Sequence, residues 1–351
     1  MLGDGTREEA AVEQRLASCR TPGGAEVAYA SVGHGPPLLF VGGWLSHLEL
    51  SWALPAERRM LETLGKGRTL LRHDRPGCGL SDRTSPRARS VETELEAVEA
   101  VLAAAGVQRT DVVASSLGVP LMIEWAARHP ETVDRLVLYG GWARGADIGT
   151  PELQQNVLGL VSASWGLGAD VLTDIFAPDA SAGTRAALST YQREASSPQT
   201  ATELLRLCYR IDVAMSLTHV RARTLVVHRE HDRAAPLEQA RLIASTVPGA
   251  QLQVLPGRSH LPYVGDTVLL VDTIRRYLGL PVDVPATAPT LTARQQEVAA
   301  LVAEGLTNRE IGRRLGIEER SAEGHLERIR LRLGLRSRAQ VAAWWVATGG
   351  D

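Results

Sequence analysis

The chain has 351 residues, 44% of them hydrophobic and 22% charged, with a formal net charge of −2 at pH 7. That length exceeds a typical single domain of about 100–200 residues, and the composition excludes disorder along most of the chain. It also excludes a globally cationic binder of nucleic acid or acidic lipid, so any such binding has to come from a local patch. Cys19, Cys78 and Cys208 are odd in number and far apart, which argues against a disulfide framework or a cysteine metal site.

The opening stretch MLGDGTREEAAVEQR carries acids where a secretory signal would be basic and then apolar. No apolar run approaches membrane-spanning length, so a cytoplasmic protein without membrane contact is expected. Residues 1–24 read as an N-terminal extension. From 25 to 280, short β-rich runs alternate with helical patterns, the mark of a mainly parallel sheet covered by helices. The strands are expected at Val27–Val32, Pro37–Val41, Thr69–His73, Thr110–Ala114, Leu136–Tyr139, Thr224–His228 and Gln251–Leu255. Between about 145 and 218 the strands stop and a helical lid is expected, inserted between two late strands.

Residues 281–290 hold Pro281, Pro285 and Pro289 and read as an extended linker. Beyond it, 291–351 reads as four short helices broken at Gly305, Gly316 and Gly334. Thr292 with Gln295, and Thr307 with Glu310, are capping-box pairs that start two of them. Leu291, Val298, Leu301, Ile311, Leu315, Ile317, Ile329 and Leu333 supply a small core.

The chemistry starts at Ala114-Ser115-Ser116-Leu117-Gly118, where an apolar strand gives way to a helical run. Small residues two before and two after Ser116 permit a turn sharp enough to lift its hydroxyl clear of the backbone. The helix beginning there points amide groups at the same spot. A serine hydroxyl needs a base to take its proton. Asp232 in TLVVHREHDRAAP and His260 in LQVLPGRSHLPYVGD each follow a strand, which gives the order Ser, Asp, His. No metal or cofactor is expected: His228, His231 and Asp232 have no ligand spacing, and His228 ends a strand.

Together with LLFVGGWLSH and RHDRPGCGLSD, these stretches make residues 25–280 resemble the α/β-hydrolase fold. The resemblance implies a catalytic triad of Ser116, Asp232 and His260, with the amides of Leu117 and Trp44 as the oxyanion hole. Many relatives carry His-Gly before the second amide, where this chain has Gly42-Gly43. Gly43, Trp44, Trp142 and Trp165 are expected to line a ligand pocket, although buried Trp is commonly plain core.

LTARQQEVAALVAEGLTNREIGRRLGI, SAEGH and IRLRLGLRSRAQV make the tail resemble the LuxR-type helix-turn-helix. The resemblance implies that a helix from Glu319 to Leu333 enters the major groove of double-stranded DNA. Arg309, Arg313, Arg320, Arg328, Arg330 and Arg332 then become candidates for phosphate, and Ser321 and His325 match polar positions near the backbone. Glu323, Gly324 and Glu327 fall where the family faces bases. The segment from Pro289 onward holds ten arginines against eight acids, so affinity is expected to be modest unless two copies bind together. Val341, Trp344 and Trp345 on the last helix fit either a homodimer contact or packing within one chain.

The expected function is a transcriptional regulator whose α/β-hydrolase-fold domain binds a small-molecule signal, with hydrolysis of that signal left open. The alternative is a serine hydrolase of esters or lactones with an accessory DNA-binding tail. A third reading has Ser116 and His260 only hydrogen-bonding the ligand.

Overall fold

A computed structural model describes residues 13–84, 89–282, 291–333, 335 and 337–347. The chain divides into two compact units, 1–281 and 282–351. Most of the expected linker, 283–290, lies outside the described residues, as does Gly334.

Unit one is built on an eight-stranded sheet in the order β1-β2-β4-β3-β5-β6-β7-β8. Its strands are β1 (Arg15–Arg20), β2 (Glu26–Gly33), β3 (Pro37–Val41), β4 (Thr69–His73), β5 (Thr110–Ser115), β6 (Val133–Tyr139), β7 (Arg223–Arg229) and β8 (Gln251–Leu255). β2 runs antiparallel to both β1 and β4, and every later pair is parallel. β1 corrects the sequence reading, which left it in an N-terminal extension. Its residues are exposed or half-buried, so no apolar alternation announces the strand, and pairing with β2 creates it.

The central strands show why the sheet is a core. TDVVAS of β5 is buried throughout, as a parallel strand covered on both faces must be. Successive side chains alternate between two apolar layers. Leu39, Val41, Val112 and Ala114 pack into one, and Leu38, Phe40, Val113 and Val137 into the other.

The helices of unit one are α1 (Leu48–Ala53), α2 (Pro55–Gly65), α3 (Val91–Ala104), α4 (Gly118–Arg128), α5 (Pro151–Ala163), α6 (Trp165–Phe176), α7 (Ala182–Ala195), α8 (Pro198–Arg210), α9 (Leu237–Thr246) and α10 (Thr267–Tyr277). α5 to α8 fall between β6 and β7, where the lid was expected. Thr150, Ser181 and Ser197 cap α5, α7 and α8, each accepting a bond from a first-turn amide.

Unit two is α11 (Ala293–Ala303), α12 (Asn308–Leu315), α13 (Glu319–Leu333) and α14 (Arg338–Ala347). Both predicted capping boxes form, Thr292 with Gln295 and Thr307 with Glu310. Gly316 ends α12 at φ 63°, in the left-handed region that glycine enters without steric cost. Gly312 is equally constrained, because a Cβ there would stand 2.8 Å from the carbonyl oxygen of Ile317. The core holds Leu291, Val298, Leu301, Ile311, Ala322, Leu326, Ile329 and Val341. Leu315, Ile317 and Leu333 pack at its margin.

Candidate functional site

Ser116 sits at the turn from β5 to α4 with φ 56°, the one non-glycine residue of positive φ among the described residues. Such a backbone costs on the order of 1–3 kcal/mol and persists only where its surroundings enforce it. Here the Ser116 amide donates to the Tyr139 carbonyl at 3.0 Å, and the Val119 amide donates back to the Ser116 carbonyl at 2.9 Å. Gly118 is obligatory, since a Cβ would lie 2.3 Å from the Val41 carbonyl oxygen.

The three residues expected to work together do meet. Ser116 Oγ lies 2.8 Å from His260 Nε2, and His260 Nδ1 lies 2.8 Å from Asp232 Oδ2. They come from the C-terminal ends of β5, β7 and β8, the end of an open parallel sheet where ligands bind. Asp232 Oδ1 accepts from the Ala234 and Ala235 amides at 2.8 and 3.2 Å. Burial alone would raise the Asp232 carboxyl, but the facing His260 and the Ala234 amide hold it below the usual range. An ionised Asp232 fixes His260 with its proton on Nδ1, leaving Nε2 to accept the serine proton. Gly140, at φ 59°, lets the backbone pass close by: a Cβ there would stand 3.5 Å from His260 Nδ1.

Further residues brace this set and were not expected from the sequence. His228 is fully buried, and its Nε2 lies 3.0 Å from the Ala235 carbonyl and 3.9 Å from Asp232 Oδ2. Burial holds its ring neutral, so Nε2 donates to Ala235 and stiffens the Asp232 turn. Arg229 is buried and donates to the Val264 carbonyl, tying β7 to the loop that carries His260. Arg75 donates to the carbonyls of Gly42 at 2.7 Å and Gly43 at 2.6 Å, and pairs with buried Glu94 at 2.5 Å. That grip fixes the loop just before Trp44. Arg75 lies inside the RHDRPGCGLSD stretch, yet its spacing carries no sign of its partners.

Trp44 and Leu117 both flank the nucleophile, and neither backbone amide has a hydrogen-bond acceptor among the described residues. Gly43 and Trp44 border a cavity holding Ser116 and His260, and Trp44 and Trp142 border a second one beside the same two residues. Trp165 is a correction: its ring meets Trp44 edge-on at 5.9 Å and lines neither cavity. Phe176, unpredicted, packs 5.5 Å from the His260 ring, and its carbonyl accepts from the His260 amide at 2.7 Å.

In unit two, Ala322, Leu326 and Ile329 turn inward, while Arg320, Ser321, Glu323, Glu327 and Arg328 are exposed on α13. Gly324 and His325 are half-buried, and Arg309, Arg313 and Arg314 are exposed on α12. The side chain of Arg332 lies outside the described residues. Arg328 Nη2 approaches His325 Nδ1 at 3.4 Å. Val341 is fully buried and the Trp344 and Trp345 rings pack against its cluster, so packing within one chain accounts for all three. No helix among the described residues is long and apolar enough to cross a membrane.

Residues 36–267 match the family described as alpha/beta hydrolase fold, and residues 289–345 match that described as bacterial regulatory proteins, luxR family. A pyrrolizixenacetamide deacetylase of Xenorhabdus hominickii is 29% identical over 75% of this chain and 98% of its own length. A 2-hydroxymuconate semialdehyde hydrolase of Pseudomonas putida is 31% identical over 55% of this chain and 70% of its own. Among solved structures, an esterase from Exiguobacterium antarcticum superposes with a TM-score of 0.67 at 17% identity, covering 75% of this chain and 99% of its own. An enol-lactonase from Burkholderia xenovorans gives 0.64 at 20%, over 75% of this chain and all of its own. At those identities the two structures speak for the fold alone. The chain belongs to the α/β-hydrolase fold family and carries, C-terminal to that domain, a DNA-binding domain of the luxR family of bacterial regulatory proteins.

Proposed function

We propose that this protein is a transcriptional regulator whose hydrolase-fold domain binds an acyl compound, an ester, lactone or amide, and cleaves it, with DNA binding responding to occupancy. The observation that carries the reading is the unbroken Asp232–His260–Ser116 hydrogen-bond chain, 2.8 Å at each link, in a chain that ends in a DNA reader. His260 Nε2 accepts the Ser116 proton as Oγ bonds to the carbonyl carbon. The resulting oxyanion is stabilised by the amides of Leu117 and Trp44. His260 then gives the proton to the departing alcohol or amine, leaving an acyl ester on Ser116. Water, deprotonated by the same nitrogen, releases the acid and restores the serine.

At the other end, α13 lies in the major groove, with Arg309, Arg320 and Arg328 toward phosphates and Ser321 and His325 beside the backbone. Glu323 and Glu327, flanking Gly324, accept from cytosine N4 and are repelled by phosphate. Weak binding by one copy is offset when two recognition helices bind a two-fold site, so the working form is a homodimer on a palindromic operator. Ligand shifts the equilibrium between arrangements that differ in DNA affinity.

The test uses the intact protein and its Ser116→Ala variant. Wild type is expected to release p-nitrophenol from p-nitrophenyl esters and to retard a duplex enriched from a random pool. The variant is expected to lose the first activity and keep the second. Ester turnover without any duplex preference would reduce the protein to a hydrolase, and duplex binding with an inert serine would reduce the cavity to a receptor.

A further inference from the structure

Two chambers meet at the nucleophile. Both are bordered by Trp44, Ser116, Phe176 and His260. They offer about 940 and 1060 Å³ of space, solvent at their mouths included. One is walled by Trp142, Ile148, Val157, Leu172, Ile175 and Leu205, an apolar slot suited to a hydrocarbon arm. The other, bordered by α2, the end of β4 and α7, contains Glu57, Arg72, His73 and Gln192.

These four side chains are all more than nine-tenths buried, at 8, 5, 7 and 6% exposure. Arg72 spends its terminal nitrogens on Ser51 at 2.8 Å and Gln14 at 2.7 Å. Gln192 donates to the Ala169 carbonyl at 3.0 Å and to Thr173 at 2.7 Å, which fixes its oxygen as the free end. Gln192 Oε1, Arg72 Nε and both nitrogens of His73 have no hydrogen-bond partner among the described residues, and the Glu57 carboxyl, beside the Tyr263 hydroxyl, leaves Oε2 unmatched. Leaving buried groups unmatched costs about 1–3 kcal/mol each, so such a cluster calls for a complement.

The mixture says which complement. Gln192 Oε1 is a fixed acceptor and Arg72 Nε a fixed donor, while burial and the neighbouring Arg75 press the His73 ring to about 3, so that it stays neutral with one nitrogen of each kind. Glu57, raised to about 7 by burial, presents either role near neutrality. An ammonium head cannot accept from Arg72, and a carboxylate cannot donate to Gln192. A hydroxyl does both.

We propose that the ligand is an amphiphilic acyl compound whose uncharged, hydroxyl-bearing head binds Glu57, Arg72, His73 and Gln192 while its apolar arm fills the Trp142 chamber. This rests on the reading that the cavity takes an acyl compound. Four octanoate esters differing only in the head test it: 1-monooctanoylglycerol, ethyl octanoate, octanoylcholine and octanoyloxyacetate. Their affinities are measured calorimetrically on full-length Ser116→Ala protein, and octanoate release on the full-length wild type.

The glycerol ester is expected to bind at least tenfold more tightly than the other three. Adding Glu57→Leu narrows that ratio to within about threefold, and Glu57→Gln keeps part of it, with circular dichroism confirming the fold of each. Equal binding of all four esters, preference for a charged head, or a ratio indifferent to both Glu57 variants overturns the head assignment while leaving the acyl reading intact. Failure of every ester both to bind and to be cleaved overturns the two together.

Discussion

In the hydrolase unit the working groups are brought together across 144 and 28 residues of chain. In the C-terminal unit the candidate DNA contacts lie on two successive helices, α12, set by its own capping box and glycine C-cap, and α13, held by its buried apolar side chains. The first site exists only when the whole sheet is in register, because β5, β7 and β8 each deliver one member from a strand end. The second needs little beyond a three-helix core to hold α13 outward. One unit therefore concentrates its vulnerability in a few buried polar partners, and the other spreads it thinly over helix ends and small apolar contacts.

The sharpest break in this comparison is chemical. Ser116→Ala is expected to lower turnover of a p-nitrophenyl ester by about 10⁴–10⁶-fold while leaving the melting temperature and operator affinity as they are. Parallel ester and electrophoretic mobility measurements decide it. A comparable loss of DNA binding would show that the two units are not separable in this way.

Arg75→Met comes next. It frees the carbonyls before Trp44 and strands Glu94, whose side chain is 1% exposed. A loss of about 3–5 kcal/mol is expected, because one partner of a buried ion pair is left unmatched. Adding Glu94→Leu should restore most of the stability but leave kcat about 10²-fold low, since the oxyanion loop stays untethered. Urea unfolding alongside steady-state kinetics separates the two effects.

The buried Glu57 gives a pH-dependent prediction. Burial raises its folded value from 4.5 to about 7, so between those values the unfolded chain is ionised while the folded protein holds the proton. Folding free energy is accordingly lost as pH rises from about 4.5 through 7. Glu57→Gln is expected to stabilise the protein on the order of 3 kcal/mol at pH 8 and hardly at all at pH 4. Unfolding curves at both pH values test the sign.

The smallest effect belongs to the DNA reader. Thr307 Oγ1 accepts from the Glu310 amide at 3.4 Å and donates to Glu310 Oε2 at 2.8 Å. Thr307→Ala should therefore cost about 1 kcal/mol, seen as lower protection of α12 amides in hydrogen exchange with esterase activity unchanged.

What the sequence disclosed follows the same division. Central strands were legible because burial on both faces demands continuous apolar runs, and Pro37–Val41 and Thr69–His73 form where the pattern put them, while the exposed edge strand Gln251–Leu255 was legible from its alternation of polar and apolar residues. β1 was not, because an exposed edge strand needs only a partner. Ser116, Asp232 and His260 were legible because each follows a strand with small or polar neighbours. Arg75, Glu94, His228 and the Glu57–Arg72 cluster were hidden, since their partners come from elements distant in sequence and no local pattern marks a buried polar group. Trp165 misled for the opposite reason: a tryptophan in a lid helix has the right character for a pocket wall, and only packing reveals that it stands behind Trp44.

Coupling between the two units is the central claim, and equilibrium DNA affinity tests it most directly. The dissociation constant of the full-length Ser116→Ala protein for its selected duplex should be measured at fixed salt, with and without saturating 1-monooctanoylglycerol. The account predicts a change of at least fivefold, matched by an equal change in ester affinity when duplex is saturating. An unchanged constant, with the ester demonstrably bound, would contradict it.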